Sequence, residues 1–148
     1  MEPKKPIKRN PAIVTFLFFY HFALLLVWKI RQGLKKEIEP SRIINYVAHF
    51  FDTDLIFHFE EEETLLFSKL PSDNLLRLQS EEEHKLIKFE IDALRKNSDD
   101  KMGIENFANI LEKHIRFEER ELFNYLQEIF SEDELSEIAE AMEARTRE

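Results

Sequence analysis

Two stretches of this chain, His58 to Phe67 and His114 to Phe123, carry His, two Glu, Leu and Phe at the same offsets, the second falling 56 residues after the first. Within each, a histidine and a glutamate stand four apart, His58 with Glu62 and His114 with Glu118. On a helix such residues project from one face a turn apart, so each copy can aim two ligand-type side chains at one spot. Apolar neighbours at helical spacing, among them Leu55, Leu65, Phe107, Ile110, Leu111 and Leu122, put those faces inside a core. Buried imidazole and carboxylate are costly unless paired or metal-bound.

The segment preceding each copy adds one more histidine, His21 before the first and His84 before the second. The chain thus reads as two helical hairpins, each contributing His plus HxxxE. Two glycines, five prolines and no alternating apolar runs leave little material for a sheet. The fold expected is all-α, an antiparallel up-down four-helix bundle with a short fifth C-terminal helix. Its parts are a basic N-terminal arm over 1–10, the bundle over 11–130 and the extra helix over 131–148. Helix A is expected to open with Asn10 as cap and Pro11 at its first position and to run to about Ile38. Helix B should follow Ser41 as cap, helix C should start at Ser72 or Asp73, and helix D should follow Gly103. Ser131 and Glu134 have the spacing of a capping box, placing Leu135, Ile138 and Met142 on one side of the last helix.

Composition narrows the chemistry. Acidic residues outnumber basic ones thirty to twenty-one, a net charge of −9 that argues against nucleic acid. The absence of cysteine leaves His and carboxylates as ligands, and removes disulfides, thiolate nucleophiles and iron-sulfur ligation. At 148 residues no staple is needed to hold a core. If Glu62 and Glu118 both bridge, two ions each receive two carboxylate oxygens and two imidazoles, paired as His21 with His58 and His84 with His114. About two positions of a six-coordinate shell then stay open on each ion. Nitrogen and oxygen donors with open positions suit iron, with manganese and zinc left open as alternatives.

The segments NPAIVTFLFFYHFALLLVWKIRQGL, HFEEEETLLF, EEEHKLIKF and HIRFEERELF resemble the bacterial hemerythrin-like, HHE cation-binding domains, over residues 10 to 130. The resemblance implies two non-haem iron ions, oxo- or hydroxo-bridged in some states, held by His21, His58, Glu62, His84, His114 and Glu118. It implies a small diatomic ligand or peroxide as partner. Two departures stand out. Invertebrate oxygen carriers of this type place a further histidine one turn before the helix C ligand, where this chain has Ser80, and a carboxylate where it has Glu119 beside Glu118. Reversible oxygen carriage is therefore not the expectation; binding or sensing of dioxygen, nitric oxide, peroxide or iron is. Glu81 is held in reserve for the ligand missing at Ser80, with water as the alternative. Phe18, Phe19, Tyr20 and Phe22 stand where many relatives carry polar side chains, so a drier site is expected.

Other readings bear on single residues. His49 lies two and a half turns before His58 and should point elsewhere. Tyr20, Tyr46 and Tyr125 are read as core aromatics, and Glu60, Glu61 and Glu63 as solvated. Ala12 to Trp28 is uncharged and follows Lys4, Lys5, Lys8 and Arg9, as in a signal anchor, but Lys29 and Arg31 interrupt it and His21 is expensive in lipid. A cytoplasmic bundle is preferred to a membrane span. Phe16, Phe19, Ala23, Leu26 and Ile30 are read as an apolar back face opposite His21, available to a homodimer. The alternatives of other classes are a di-iron redox enzyme or iron-sulfur repair and iron-delivery factor, and a metal-free helical interaction module.

Overall fold

The computed structural model describes residues 11–146, which form helices and short connections with no strand among them. The expected arm over 1–10 and the Asn10 cap lie outside the described residues. Helix α1 is Pro11–Lys35. It stops short of Ile38 because Glu37 turns into the left-handed region at φ 57°. Ile38 N then donates to Gly33 O at 3.0 Å and Glu37 N to Leu34 O at 3.1 Å, the paired bonds that satisfy carbonyls at a helix end.

The second rod, α2, starts one residue before the expected Ser41 cap: Pro40 opens it, its fixed φ and missing N–H suiting a first turn. It comprises Pro40–Phe50, a π turn Phe51–Leu55, Ile56–Glu61, a second π turn Glu62–Leu66 and a closing 3-10 turn Phe67–Lys69. Helix α3 is Leu75–Lys96 and is capped by Asn74, not by Ser72 or Asp73; the Asn74 carboxamide accepts from Leu76 N and Arg77 N, each at 3.1 Å. The fourth rod, α4, joins Lys101–Phe117, a π turn Glu118–Leu122 and Phe123–Ile129. It begins two residues before Gly103, because Asp100 caps it by accepting from Gly103 N at 2.8 Å. Helix α5 is Glu132–Thr146, and its capping box forms: Ser131 N donates to Glu134 Oε1 and Glu134 N to Ser131 Oγ, both at 3.1 Å.

Contacts between rods fix their directions. Phe16 meets Phe123 while Arg31 bonds Glu112, so α1 and α4 run antiparallel. Ser80 meets Glu118 and His84 meets His114, which makes α3 and α4 antiparallel as well. Phe16 meets His58 and Lys29 meets Tyr46, and the same holds for α1 and α2. The result is an up-down-up-down bundle, with α5 folded back along α1 and burying Leu135, Ile138 and Met142.

The orientation of α1 differs from the expectation. Phe16, Ala23, Leu26 and Ile30, read as an outward back face, are buried in the core together with Ile13, Tyr20 and Val27. His21 lies on the outer surface beside exposed Val14, Phe18, Phe22, Leu25 and Trp28. Both faces of α1 are apolar, so hydrophobicity alone does not choose between them. The buried face is the one with small residues: Ala12, Ala23 and Gly33 let neighbouring helices approach closely, and a Cβ added at Gly33 would stand 3.2 Å from Ile43 Cδ1. The opposite face carries the bulky Phe18, Phe22 and Trp28. By length and composition α1 also passes as a membrane-crossing helix.

Candidate metal centre

The site is built where the two HxxxE copies meet at mid-bundle. His58, Glu62, His84, His114 and Glu118 are all buried, the two carboxylates completely. Glu62 and Glu118 each open a π turn, at Glu62–Leu66 and Glu118–Leu122, in which Phe67 N bonds Glu62 O and Phe123 N bonds Glu118 O. Such extra-wide turns cluster at functional sites. Here they turn Leu66, Phe67, Leu122 and Phe123 into the core behind the glutamates.

Five polar side chains converge. His58 Nε2 is 2.6 Å from Glu62 Oε1, and His114 Nε2 is 3.2 Å from Glu118 Oε1. His84 Nε2 lies between the carboxylates, 3.8 Å from Glu62 Oε2 and 3.6 Å from Glu118 Oε2. Yet His58 Nε2, both oxygens of Glu62, His114 Nε2 and Glu118 Oε1 make no aligned hydrogen bond. They are near one another because all aim at the same space. Donor atoms of His58, Glu62 and Glu118 lie within 4.8 Å of one another, as do those of His84, His114 and Glu118, so Glu118 belongs to both groups. Buried orphans of this kind are rare and costly, and a cation satisfies them together. The donor set fits a bound metal.

The far nitrogens of two rings are held from behind. His84 Nδ1 is 3.3 Å from Glu63 Oε1 and His114 Nδ1 is 2.8 Å from Glu83 Oε1. A carboxylate on Nδ1 fixes the tautomer that presents the Nε2 lone pair to an ion. Phe59 stacks on His84 at 3.9 Å between centroids and Phe19 on His58 at 3.5 Å, walling the centre with rings.

The buried charges of the cluster settle unevenly. Burial and then the neighbouring Glu118 push the Glu62 carboxyl well above its usual range. Glu118 moves the other way, since the His114 charge and hydrogen bonds overcome the opposing effect of burial. Burial lowers His58 to about 3. Burial also works against protonation of His114, but Glu118 and Glu83 raise it to about 9.

Several expected residues sit elsewhere. His21 is exposed and contributes nothing to the cluster, because the register of α1 turns it outward. Glu81 is engaged by Arg77 Nε at 2.8 Å, which takes it away from the centre. Ser80 fills the gap that Glu81 was expected to cover: its buried hydroxyl donates to Glu118 Oε2 at 2.7 Å. Glu63, read as solvated, is instead a partner of His84, and Glu61 is buried. His49 is exposed, away from the site. In place of His21, α1 sends in Tyr20, fully buried with an unpartnered hydroxyl. The signal for it was available in the three-and-four spacing of Phe16, Tyr20, Ala23, Val27 and Ile30, which runs through Tyr20 and past His21.

An antiparallel four-helix bundle with paired His-and-Glu turns facing one buried point is a cation-binding bundle. The particular family is shown by a match of the hemerythrin HHE cation binding domain model to residues 20–126, and the chain belongs to that family. No curated protein and no solved structure matches.

Proposed function

We propose that this chain is a non-haem di-iron protein that binds or senses a small ligand, in the class of dioxygen, nitric oxide or peroxide, or iron itself. The observation that carries the reading is the sharing of Glu118 between two donor groups, one completed by His58 and Glu62 and the other by His84 and His114. One carboxylate serving two three-donor groups is the arrangement that holds a pair of ions. Two neutral imidazoles and a shared carboxylate suit iron, and manganese or zinc would meet the same donors. Iron, when bound, supplies open positions for a small ligand and one-electron redox chemistry.

The protein's own part is positioning and exclusion. Glu63 and Glu83 orient the rings of His84 and His114, Ser80 fixes one oxygen of Glu118, and Phe19 and Phe59 keep bulk water from the imidazoles. A donor hydroxyl at Ser80 where oxygen carriers place a further histidine favours sensing or redox response over reversible carriage.

The test is anaerobic loading with ferrous iron, removal of excess and exposure to air, with metal analysis and spectra in both oxidation states. About two irons per chain, lost in His58→Ala and His114→Ala variants that keep their helix content, support the reading. A well-folded chain that takes up no metal after careful loading would leave a metal-free interaction module as the better account.

A further inference from the structure

We infer that Tyr20 is the α1 ligand of the centre, its phenolate oxygen completing the His58–Glu62–Glu118 group; the inference rests on the di-iron reading above and deepens it. The two donor groups each hold three donors and differ in kind. One holds two imidazoles and Glu118, and the other a single imidazole, His58, beside Glu62 and Glu118. Neither group takes a donor from α1, and His21 is turned to the surface.

Tyr20 stands on that side. It is 1% exposed, and its ring meets His58 edge-on at 5.9 Å and Phe123 at 5.2 Å between centroids. Its hydroxyl has no hydrogen-bond partner, as is also true of His58 Nε2 and both Glu62 oxygens in the group it faces. A buried tyrosine normally finds a partner for its O–H. The charges that act on it are carboxylates: after burial itself, Glu118 and Glu62 hold the phenol well above its usual range. A cation beside a phenol oxygen favours its ionised form. On binding, the phenol O–H releases its proton to solvent and the oxygen bonds the ion, with no electron transferred.

Phe16, Ala23, Val27 and Ile30 bury the same stripe of α1 as Tyr20, so the ligand is held by packing rather than carried on a loop. The ion on this side would have a phenolate as hard, anionic donor where an imidazole was expected. That favours the ferric state at one of the two positions.

The experiment loads the full chain with ferrous iron, oxidises it in air, and records iron per chain, the visible spectrum and resonance Raman scattering. Wild type is expected to show a phenolate-to-ferric charge-transfer band and enhanced tyrosinate ring modes. Tyr20→Phe loses both, Tyr20→His restores any iron lost without restoring the band, and His21→Ala changes neither iron nor spectrum. Iron-loaded wild type without tyrosinate modes, or modes that persist in Tyr20→Phe, overturns the assignment of Tyr20 and leaves the di-iron reading standing. A wild-type chain that binds no iron overturns both.

Discussion

Ser80 Oγ donates to Glu118 Oε2 at 2.7 Å, from a position one turn before His84 on α3. Ser80 is completely buried, and its partner is the carboxylate common to both donor groups. The bond takes one lone pair of Glu118 and fixes the plane of the carboxylate, which decides where its remaining lone pairs point. Ser80 is thus part of the centre without being one of its ligands.

Ser80→Ala should therefore act on stability and on metal together. A hydrogen bond to a charged acceptor contributes about 1.5–3 kcal/mol, and the metal-free variant should lose that much in denaturant unfolding. Loss of a group that orients a ligand lowers metal affinity by about 10–100-fold. Equal stability and equal iron affinity in the two proteins would mean that the contact is incidental.

Replacing Glu62 by Leu should have opposite effects on the two forms. In the metal-free protein Glu62 is buried beside a second carboxylate and neither of its oxygens is hydrogen-bonded, so burial penalises it with no compensation. Removing it should stabilise the metal-free bundle by on the order of 1 kcal/mol and abolish the added stability that iron confers. Thermal unfolding with and without iron checks both halves. A metal-free Glu62→Leu protein less stable than wild type would count against the orphaned carboxylate.

The pH dependence of the metal-free protein should have two limbs of opposite origin. His58 is lowered from 6.5 to about 3 by burial, so its contribution is fully present above 6.5 and is lost as pH falls toward 3. His114 is raised from 6.5 to about 9, against burial, by Glu118 and Glu83; its contribution is present below 6.5 and is lost as pH rises through 9. Between them the two histidines place the optimum near 6.5. Urea unfolding across this range should show the alkaline limb flattened in His114→Gln and the acid limb flattened in His58→Leu. Limbs unchanged by these substitutions would assign the dependence to other groups.

Away from the site, Glu37 occupies the left-handed position that ends α1, at φ 57°. A side chain there costs about 1–2 kcal/mol, partly offset in Glu37→Gly by the greater freedom of glycine when unfolded. The variant should gain about 0.5–1 kcal/mol with iron content unchanged. A loss of stability would show that the Glu37 side chain itself anchors the connection to α2.

The repeat of His, Glu, Leu and Phe at fixed offsets determined, from the sequence alone, the two central rods and the residues His58, Glu62, His114 and Glu118 that face one another in them. Four-residue spacing has one meaning on a helix, and the short breaks at Pro40, Pro71 and Asn97 to Asp100 admitted only neighbouring, antiparallel rods. His84 was legible for the same reason, through its place in the second hairpin. The rotation of α1 was not. Its sequence is apolar on both sides, and which side turns inward depends on how closely Ala23 and Gly33 let other helices approach, a property of the packed bundle. That packing turned His21 out and Tyr20 in. It also recruited Ser80, Glu63 and Glu83, because a side chain's role in holding a ligand depends on distances across helices that no spacing along one helix encodes. The sequence determined which turns bring His and Glu together, and the tertiary structure decided which residue of α1 faces the core beside them.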